Sequence, residues 1–521
     1  TPTPSPTPQL PTFFRKVDLP ARDVVYNPAN QKLYASVSGV GGGARSDSIT
    51  VVDPTTGAIG PSVSTGAGSE PDKLALSDDN QVLYLGYNGI NTSPMGPGAI
   101  RRFDIATQTL GPNISLGTDP NFGGAMWAYD IAFAPGNHDL VAVARYASGS
   151  PPQQGVAIFD NGVQLQNTTP GHTQGSVSVA FGSTAATLFG GSTETGLKTI
   201  AVDGNGATVS NTAPFVFGPA VDFRNGLLYS GQGQVLNPTN GTLLGRFNNS
   251  VTGRSLVIDP TLNRAFLATG NDPGFSNNNI TITAYDLTTF VPVGRITLPF
   301  VGIPTRLVRW GVNGLAVRAR TSAVSGFDSS LYIIQSALVS NAAPIPTGIS
   351  LSTSSVNVAE SISSAVLTVI RSGDLSVAST IDYATADGTA SERSDYTTAL
   401  GTLRFAPGES SKTVTVFLTN DLFQESNETF SLNLSGPTSA VATFPDTTTV
   451  TILDNDPSPP PGNPIDDTTF FVRQHYKDFL NRLPDQQGFL FWFTEIEQCG
   501  ADAQCREVKR INVSAAFFLS I

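Results

Sequence analysis

Apolar positions along the chain follow three different periods, and each predicts a different kind of element. From residue 22 to about 319 they come as paired short runs around a polar turn. Examples are "RDVVYNPANQKLYAS" (22–36), "DKLALSDDNQVLYLG" (72–86), "YDIAFAPGNHDLVAV" (129–143) and "RSLVIDPTLNRAFLA" (254–268). Such pairs read as β-hairpins. Further copies begin near residues 176, 219 and 305, so seven are counted, spaced by roughly 35 to 57 residues, which is an internal repeat. A third strand follows most copies, as in "SITVVDPTTG" (48–57). The seventh copy has "LYIIQSALV" (331–339) as its third strand and then meets a Pro-rich stretch. "FFRKVDLP" (13–20) stands before the first copy without partners of its own. Pairing it with the seventh copy would remove two exposed edges.

Residues 349–453 alternate with period two in seven short segments, near 349–358, 365–371, 379–386, 402–407, 413–420, 429–434 and 447–453. Seven such strands in about 100 residues predict an immunoglobulin-like sandwich. From residue 466 the period becomes helical. Phe471, His475 and Phe479 recur at i, i+4, i+8, and two more helical stretches follow. Asp467 or Thr468 would cap the first helix and Asp485 the second. Phe489, Phe491, Trp492 and Phe493 are expected in the helical core. The domains expected are therefore a Pro-rich linker (1–11), a repeat unit (12–340), a sandwich (345–456), a second Pro-rich linker (457–465) and a helical unit (466–521). The apolar ending "SAAFFLSI" predicts that this last unit is cut short.

Composition narrows the setting. The 521 residues are 39% hydrophobic and only 13% charged, with a net charge of −12 and a pI of about 4.7. That balance repels nucleic acid and anionic membranes and attracts divalent cations. No apolar run reaches the ~20 residues of a membrane-spanning helix. The two cysteines, Cys499 and Cys505, are expected to close a small disulfide loop in an oxidising compartment. His138, His172 and His475 lie in no nucleophile motif, so no catalytic set is assigned.

Strand direction supplies the one strong chemical expectation. Successive strands of a sandwich alternate in direction. If 447–453 runs up, then Asp454 and Asp456 lie at the top, together with the 420–428 loop carrying Asp421, Glu425 and Glu428. Asp387 and Glu360 fall at the same end. Seven clustered carboxylates repel one another unless cations neutralise them. Oxygen donors without histidine or cysteine suit calcium. Asp395 is expected to bond turn amides rather than metal.

Three resemblances go with these readings. The repeat at 12–340 resembles the bacterial YVTN-type β-propellers, implying about seven blades. The segment carrying "NVAES", "ADGTA", "SDYT", "FAPGE", "NETF" and "ILDNDP" resembles the Calx-beta domain. That resemblance implies calcium ligands at Glu360, Asp387, Asp421, Glu425, Glu428, Asp454 and Asp456. Asn420 and Asn455 stand where Asp is common in that family, implying fewer or weaker ions. The tail around "FVRQHYKDFLNRLPDQQGFLFWF" resembles the bacterial domain-of-unknown-function family 4214. Together they imply a mainly β protein, secreted or at the cell surface, that works by binding, adhesion or surface assembly. Its partners would be protein, glycan or further copies of itself. The competing expectation is an extracellular enzyme, lactonase-like or a hydrolase, with its site in the propeller channel.

Overall fold

The computed structural model describes residues 12–39, 43–87, 98–120, 123–192, 196–213, 217, 220–247, 254–270, 279–320, 329–340, 345–421, 424–456 and 463–519. The expected linker at 1–11, most of the one at 457–465, and the last two residues lie outside them.

The described residues between 12 and 336 form seven four-stranded sheets. Sheet I runs from Ala21–Asn27 to Ile59–Ser64, sheet II from Pro71–Leu76 to Thr109–Ser115, and sheet III from Trp127–Ala134 to Val163–Gln164. Sheet IV runs from Ser178–Phe181 to Gly206–Thr212, sheet V from Val221–Arg224 to Thr242–Arg246, and sheet VI from Arg254–Asp259 to Pro292–Val301. Sheet VII holds Ile303–Trp310, Gly314–Arg320 and Ser329–Ser336, and its fourth strand is Thr12–Val17. That strand pairs antiparallel with Ser329–Ser336, from Thr12 opposite Ser336 to Val17 opposite Leu331. The orphan N-terminal segment thus completes the last repeat.

Burial grades across each sheet. The second strand of sheet II, Val82–Tyr87, is buried along its whole length, whereas its fourth strand, Thr109–Ser115, is largely exposed. A strand covered on both faces reads as a continuous apolar run, and this is the signal that the repeats carry. The first strands of sheets I to V adjoin in turn, that of VI adjoins VII, and that of VII adjoins I. In sheets I, II, III and VII the first strand carries a bulge near its start, between Ala21 and Asp23, Pro71 and Leu74, Ala128 and Asp130, and Pro304 and Arg306. Side chains at these bulges stitch neighbouring sheets together. Asp23 Oδ2 accepts from Leu74 N at 3.0 Å, and Asp130 Oδ2 accepts from Val179 N at 3.0 Å. Arg306 pairs with Asp23 at 3.3 Å, joining sheet VII to sheet I.

Among its described residues the sandwich has nine strands: β1 Gly348–Leu351, β2 Ser355–Ala359, β3 Ser364–Ser372, β4 Ser379–Asp387, β5 Leu400–Phe405, β6 Ser411–Phe417, β7 Glu428–Thr438, β8 Val441–Ala442 and β9 Thr447–Leu453. One sheet has the order β6-β3-β1-β8, the other β2-β9-β7-β4-β5. The single strand expected near 349–358 is therefore two. Residues 352–354 carry the chain from one sheet to the other, so that β1 pairs with β3 while β2 runs parallel to β9. Period-two side chains fill the space between the sheets, including Leu367, Val369, Val416, Leu432 and Val450, all at most 3% exposed.

The sandwich leans on the repeat unit through its closing strand. Gly373 N donates to Thr12 O at 2.9 Å, and Lys16 Nζ lies 4.4 Å from the centre of the Phe444 ring. Gly373 sits at φ +84°, and a Cβ there would meet Pro346 O at 1.7 Å. Only glycine fits that turn.

The helical unit begins with a short turn at Pro464–Asp466 and continues as α1 Thr468–Leu480, α2 Gln486–Glu497 and α3 Ala503–Phe518. Asp467 and Asp485 cap the first two helices, accepting from Phe470 N and Gly488 N. Asp502 caps the third, a signal the sequence reading passed over. Cys499 and Cys505 form a disulfide across the α2–α3 turn. His475 is buried between Phe471 O at 2.8 Å and Ser514 Oγ at 2.7 Å. Phe491 corrects the expected core: it is 58% exposed, while Phe489 and Trp492 pack against the buried cluster. Four aromatic residues within five positions of one helix cannot all share a single face.

Candidate metal centre

Strand ends bring the acidic residues together. β2 and β9 run parallel and finish level, Ala359 opposite Leu453, and Glu360 N donates to Leu453 O. Glu360 therefore lies beside Asp454 and Asp456. β7 starts at the same end, with Glu428 opposite Ile452. Asp421 N donates to Glu360 Oε1 at 2.9 Å, which anchors the loop after β6 to the same point.

Two groups result. Glu360, Asp421 and Asp456 can bring one carboxylate oxygen each within 4.8 Å of one another, and Asp395, Glu425 and Glu428 do the same. A cavity of about 10 Å³ touches both groups, and Asp454 lines it too. Six of the seven expected ligands thus gather in or beside the two groups. Asp387 lies outside both: its Oδ1 accepts from Tyr396 OH at 2.5 Å and from Glu392 N at 3.0 Å. Asp395 stands where sequence reasoning did not put it. It does bond the turn, accepting from Ser391 N at 2.6 Å, and it also completes the second group. The signal was available, since the loop joining β4 to β5 lies at the acidic end by the same strand-direction argument.

The electrostatics of the cluster favour binding of a cation. Burial pushes the Glu428 carboxyl up to about 7, helped by its hydrogen-bonded neighbour Asp395 and by Glu425 and Glu360. Burial also raises Glu360, Glu425 and Asp456, and the neighbouring carboxylates add to the effect. Asp456 Oδ2 is buried without a hydrogen-bond partner, which is costly unless something else satisfies it. The cation that eases Asp456 is Lys477 of α1, whose Nζ also donates to Asn420 O. The donors are all oxygens, which suits a hard cation with six to eight loosely arranged ligands and disfavours zinc or copper.

A pH prediction follows for the metal-free protein. Glu428 holds a proton in the fold up to about pH 7, whereas an unfolded glutamate releases it near ~4.3. The folded state binds more protons across that window, so stability falls as pH rises through it. Asp374 and Glu409, at the other end of the sandwich, are held low by backbone amides and act below it. In chelator, amide exchange of β7 and β9 should quicken steadily between pH 4.5 and 7.5 beyond the intrinsic rate. Growing protection over that range would refute the assignment.

Comparison with known proteins singles out this segment. The family model of the Calx-beta domain matches residues 345–456. Sodium/calcium exchanger 1 of Mus musculus is 34% identical over 116 residues, 19% of this chain and 12% of that protein. Extracellular matrix protein 3 of Lytechinus variegatus is 42% identical over 76 residues, 14% of this chain and 2% of that protein. The chain thus spans about an eighth or less of these curated relatives. Among solved structures, the apo-form Calx CBD1 domain is 31% identical with a TM-score of 0.21, covering 21% of this chain and 98% of that one.

Proposed function

We propose that the Calx-beta domain at residues 345–456 is a calcium-binding module that stiffens the joint between the repeat unit and the helical tail of a secreted or cell-surface binding protein. The observation that carries the reading is the pair of three-carboxylate groups, with one small cavity lined by Glu360 of the first group and by all three members of the second. Glu360, Asp421 and Asp456 would hold one ion, and Asp395, Glu425 and Glu428 another, with Asp454 between them. Bound calcium would supply the charge that lets these carboxylates ionise together. The protein's own part is to hold them in place. The end-on register of β2 and β9 fixes Glu360 and Asp454, and the Asp421 amide orients the Glu360 carboxylate. The sites also lie where Lys477 of α1 meets the sandwich, so ordering them would order that contact.

The seven sheets are read as seven blades of a β-propeller. Supporting this are the sheet count, the side-by-side first strands, and the contact of the seventh sheet with the first through Arg306 and Asp23. Adhesion to protein or glycan, or self-assembly, fits a repeat scaffold with exposed outer strands joined to a rigid spacer.

Calorimetric titration of the full chain with calcium after chelator treatment tests the metal reading. Saturable binding is expected, and its loss in E360Q/D421N. A ligand present at about a hundred times its Kd stabilises by about 2.7 kcal/mol, enough to slow exchange throughout β7 and β9. No heat and no added protection at millimolar calcium would sink the proposal.

A further inference from the structure

A second polar site lies within the seven-sheet unit. A cavity of about 360 Å³ is lined from the first strands of sheets I, II, III and VII and from the second strand of sheet VII. This is within the range of small-molecule sites, about 300–1,000 Å³. The bulges described above open onto it. A bulge re-aims the side chain it carries, and here it turns charged residues such as Arg22 and Lys73 inward.

The charge of the lining is opposite to that of the protein. Five cationic side chains face three aspartates in a chain of net charge −12. Those aspartates already have duties. Asp23 accepts from Leu74 N and pairs with Arg306. Asp130 accepts from Val179 N and Ile131 N. Asp72 is the largest influence holding the charge on Lys73. Arg22 pairs with Glu70 at 3.9 Å. Arg318 and Arg320 remain, on one strand and two residues apart, so that both side chains leave the same face. Among the described residues neither forms an ion pair. Arg318 is only 7% exposed, with Nε on Ala21 O at 2.9 Å and Nη1 on Thr305 Oγ1 at 2.6 Å. Arg320 Nε is buried without a hydrogen-bond partner.

We propose that this cavity binds a small anionic ligand, carrying a carboxylate, sulfate or phosphate group and up to the size of a monosaccharide, through the guanidinium groups of Arg318 and Arg320. A guanidinium offers planar paired donors that match such oxyanions. Desolvation holds Arg318 down at about 10; Asp72 and Asp23 oppose this, while the charges of Arg22 and Arg320 add to it. A bound anion would add to the counter-charge that Asp72 and Asp23 supply only in part. Arg306 keeps 43% of its side chain accessible although it lies deep among the strands, because it faces the same cavity. It would add long-range attraction while staying paired to Asp23.

The test uses the full chain in chelator, so that calcium contributes nothing. Sodium glucuronate, sulfate and phosphate are titrated separately at ionic strength matched with chloride. Saturable binding of at least one is expected, weakened about tenfold or more by R320Q and severalfold by R320K, which keeps the charge but loses the planar fork. Melting curves of both variants establish that they fold. Tightest binding of glucuronate would assign the site to an acidic sugar, and tightest binding of sulfate or phosphate to a free oxyanion. Absence of saturable binding by all three anions would overturn the proposal. Binding undiminished in both variants would do so as well.

Discussion

A chain lacking residues 1–17 is expected to lose the closure of sheet VII and to become aggregation-prone. The missing strand buries Phe13, Phe14 and Val17, at 2%, 8% and 3% exposure. At about 1.5–3 kcal/mol for each buried side chain, the loss is roughly 5–9 kcal/mol, comparable to the ~5–15 kcal/mol that holds a typical domain folded. The melting temperature should fall by about 10 °C or more. The partner strand Ser329–Ser336, buried in seven of its eight positions, would become an apolar edge, and such edges recruit other chains. A synthetic peptide spanning residues 10–20 should restore protection in 329–336 by adding back as a strand. Size-exclusion chromatography and amide exchange read both effects. A truncated chain that stays monomeric and melts with the full-length protein would show that the closing strand is dispensable.

The E428Q variant should change sign with calcium. Without metal, glutamine removes a charge that Asp395, Glu425 and burial all disfavour, so the sandwich should become more stable above pH 7. With calcium the same change removes a ligand, so affinity should drop about tenfold or more, a cost of about 1.4 kcal/mol. The variant should then melt below the parent at saturating calcium and above it in chelator. D387N provides the contrast. Its carboxylate serves Tyr396 and Glu392 N and lies outside both acidic groups. It should lose stability with and without calcium, with no reversal. If E428Q shifts melting in the same direction under both conditions, the second acidic group is no metal site.

What could be read from the sequence depended on where each residue's energy comes from. The repeats were legible because their second strands are buried on both faces, so that "VLYLGY" (82–87) is apolar throughout. The fourth strands were not. "TLLGR" (242–246) is mostly exposed, and an outer strand needs backbone pairing rather than an apolar pattern. The closing role of "FFRKV" could be inferred because an unpaired edge on the seventh repeat would be unfavourable. The acidic end of the sandwich followed from strand direction alone, since direction fixes which loops share an end. Direction could not separate Asp387 from the two groups. That difference depends on Tyr396, whose hydroxyl reaches it from nine residues away. Nor could pattern reveal that Asp23 and Asp130 join neighbouring sheets, because their partners are backbone amides some 50 residues further along.

The pairing of Thr12 with Ser336 has a mechanical consequence. The chain enters the repeat unit at Thr12, and from Ser336 it leads on to the sandwich, so entry and exit lie at the same end of one antiparallel pair. Tension between the segment before Thr12 and the sandwich would load the bonds of that pair one after another, as a zipper opens, rather than all at once in shear. The Gly373–Thr12 bond acts as a catch at the zipper's mouth, and the Lys16–Phe444 contact holds the same strand near its far end. The sandwich thus guards the first bond to fail, and its rigidity would set the force at which the seven-sheet unit begins to open.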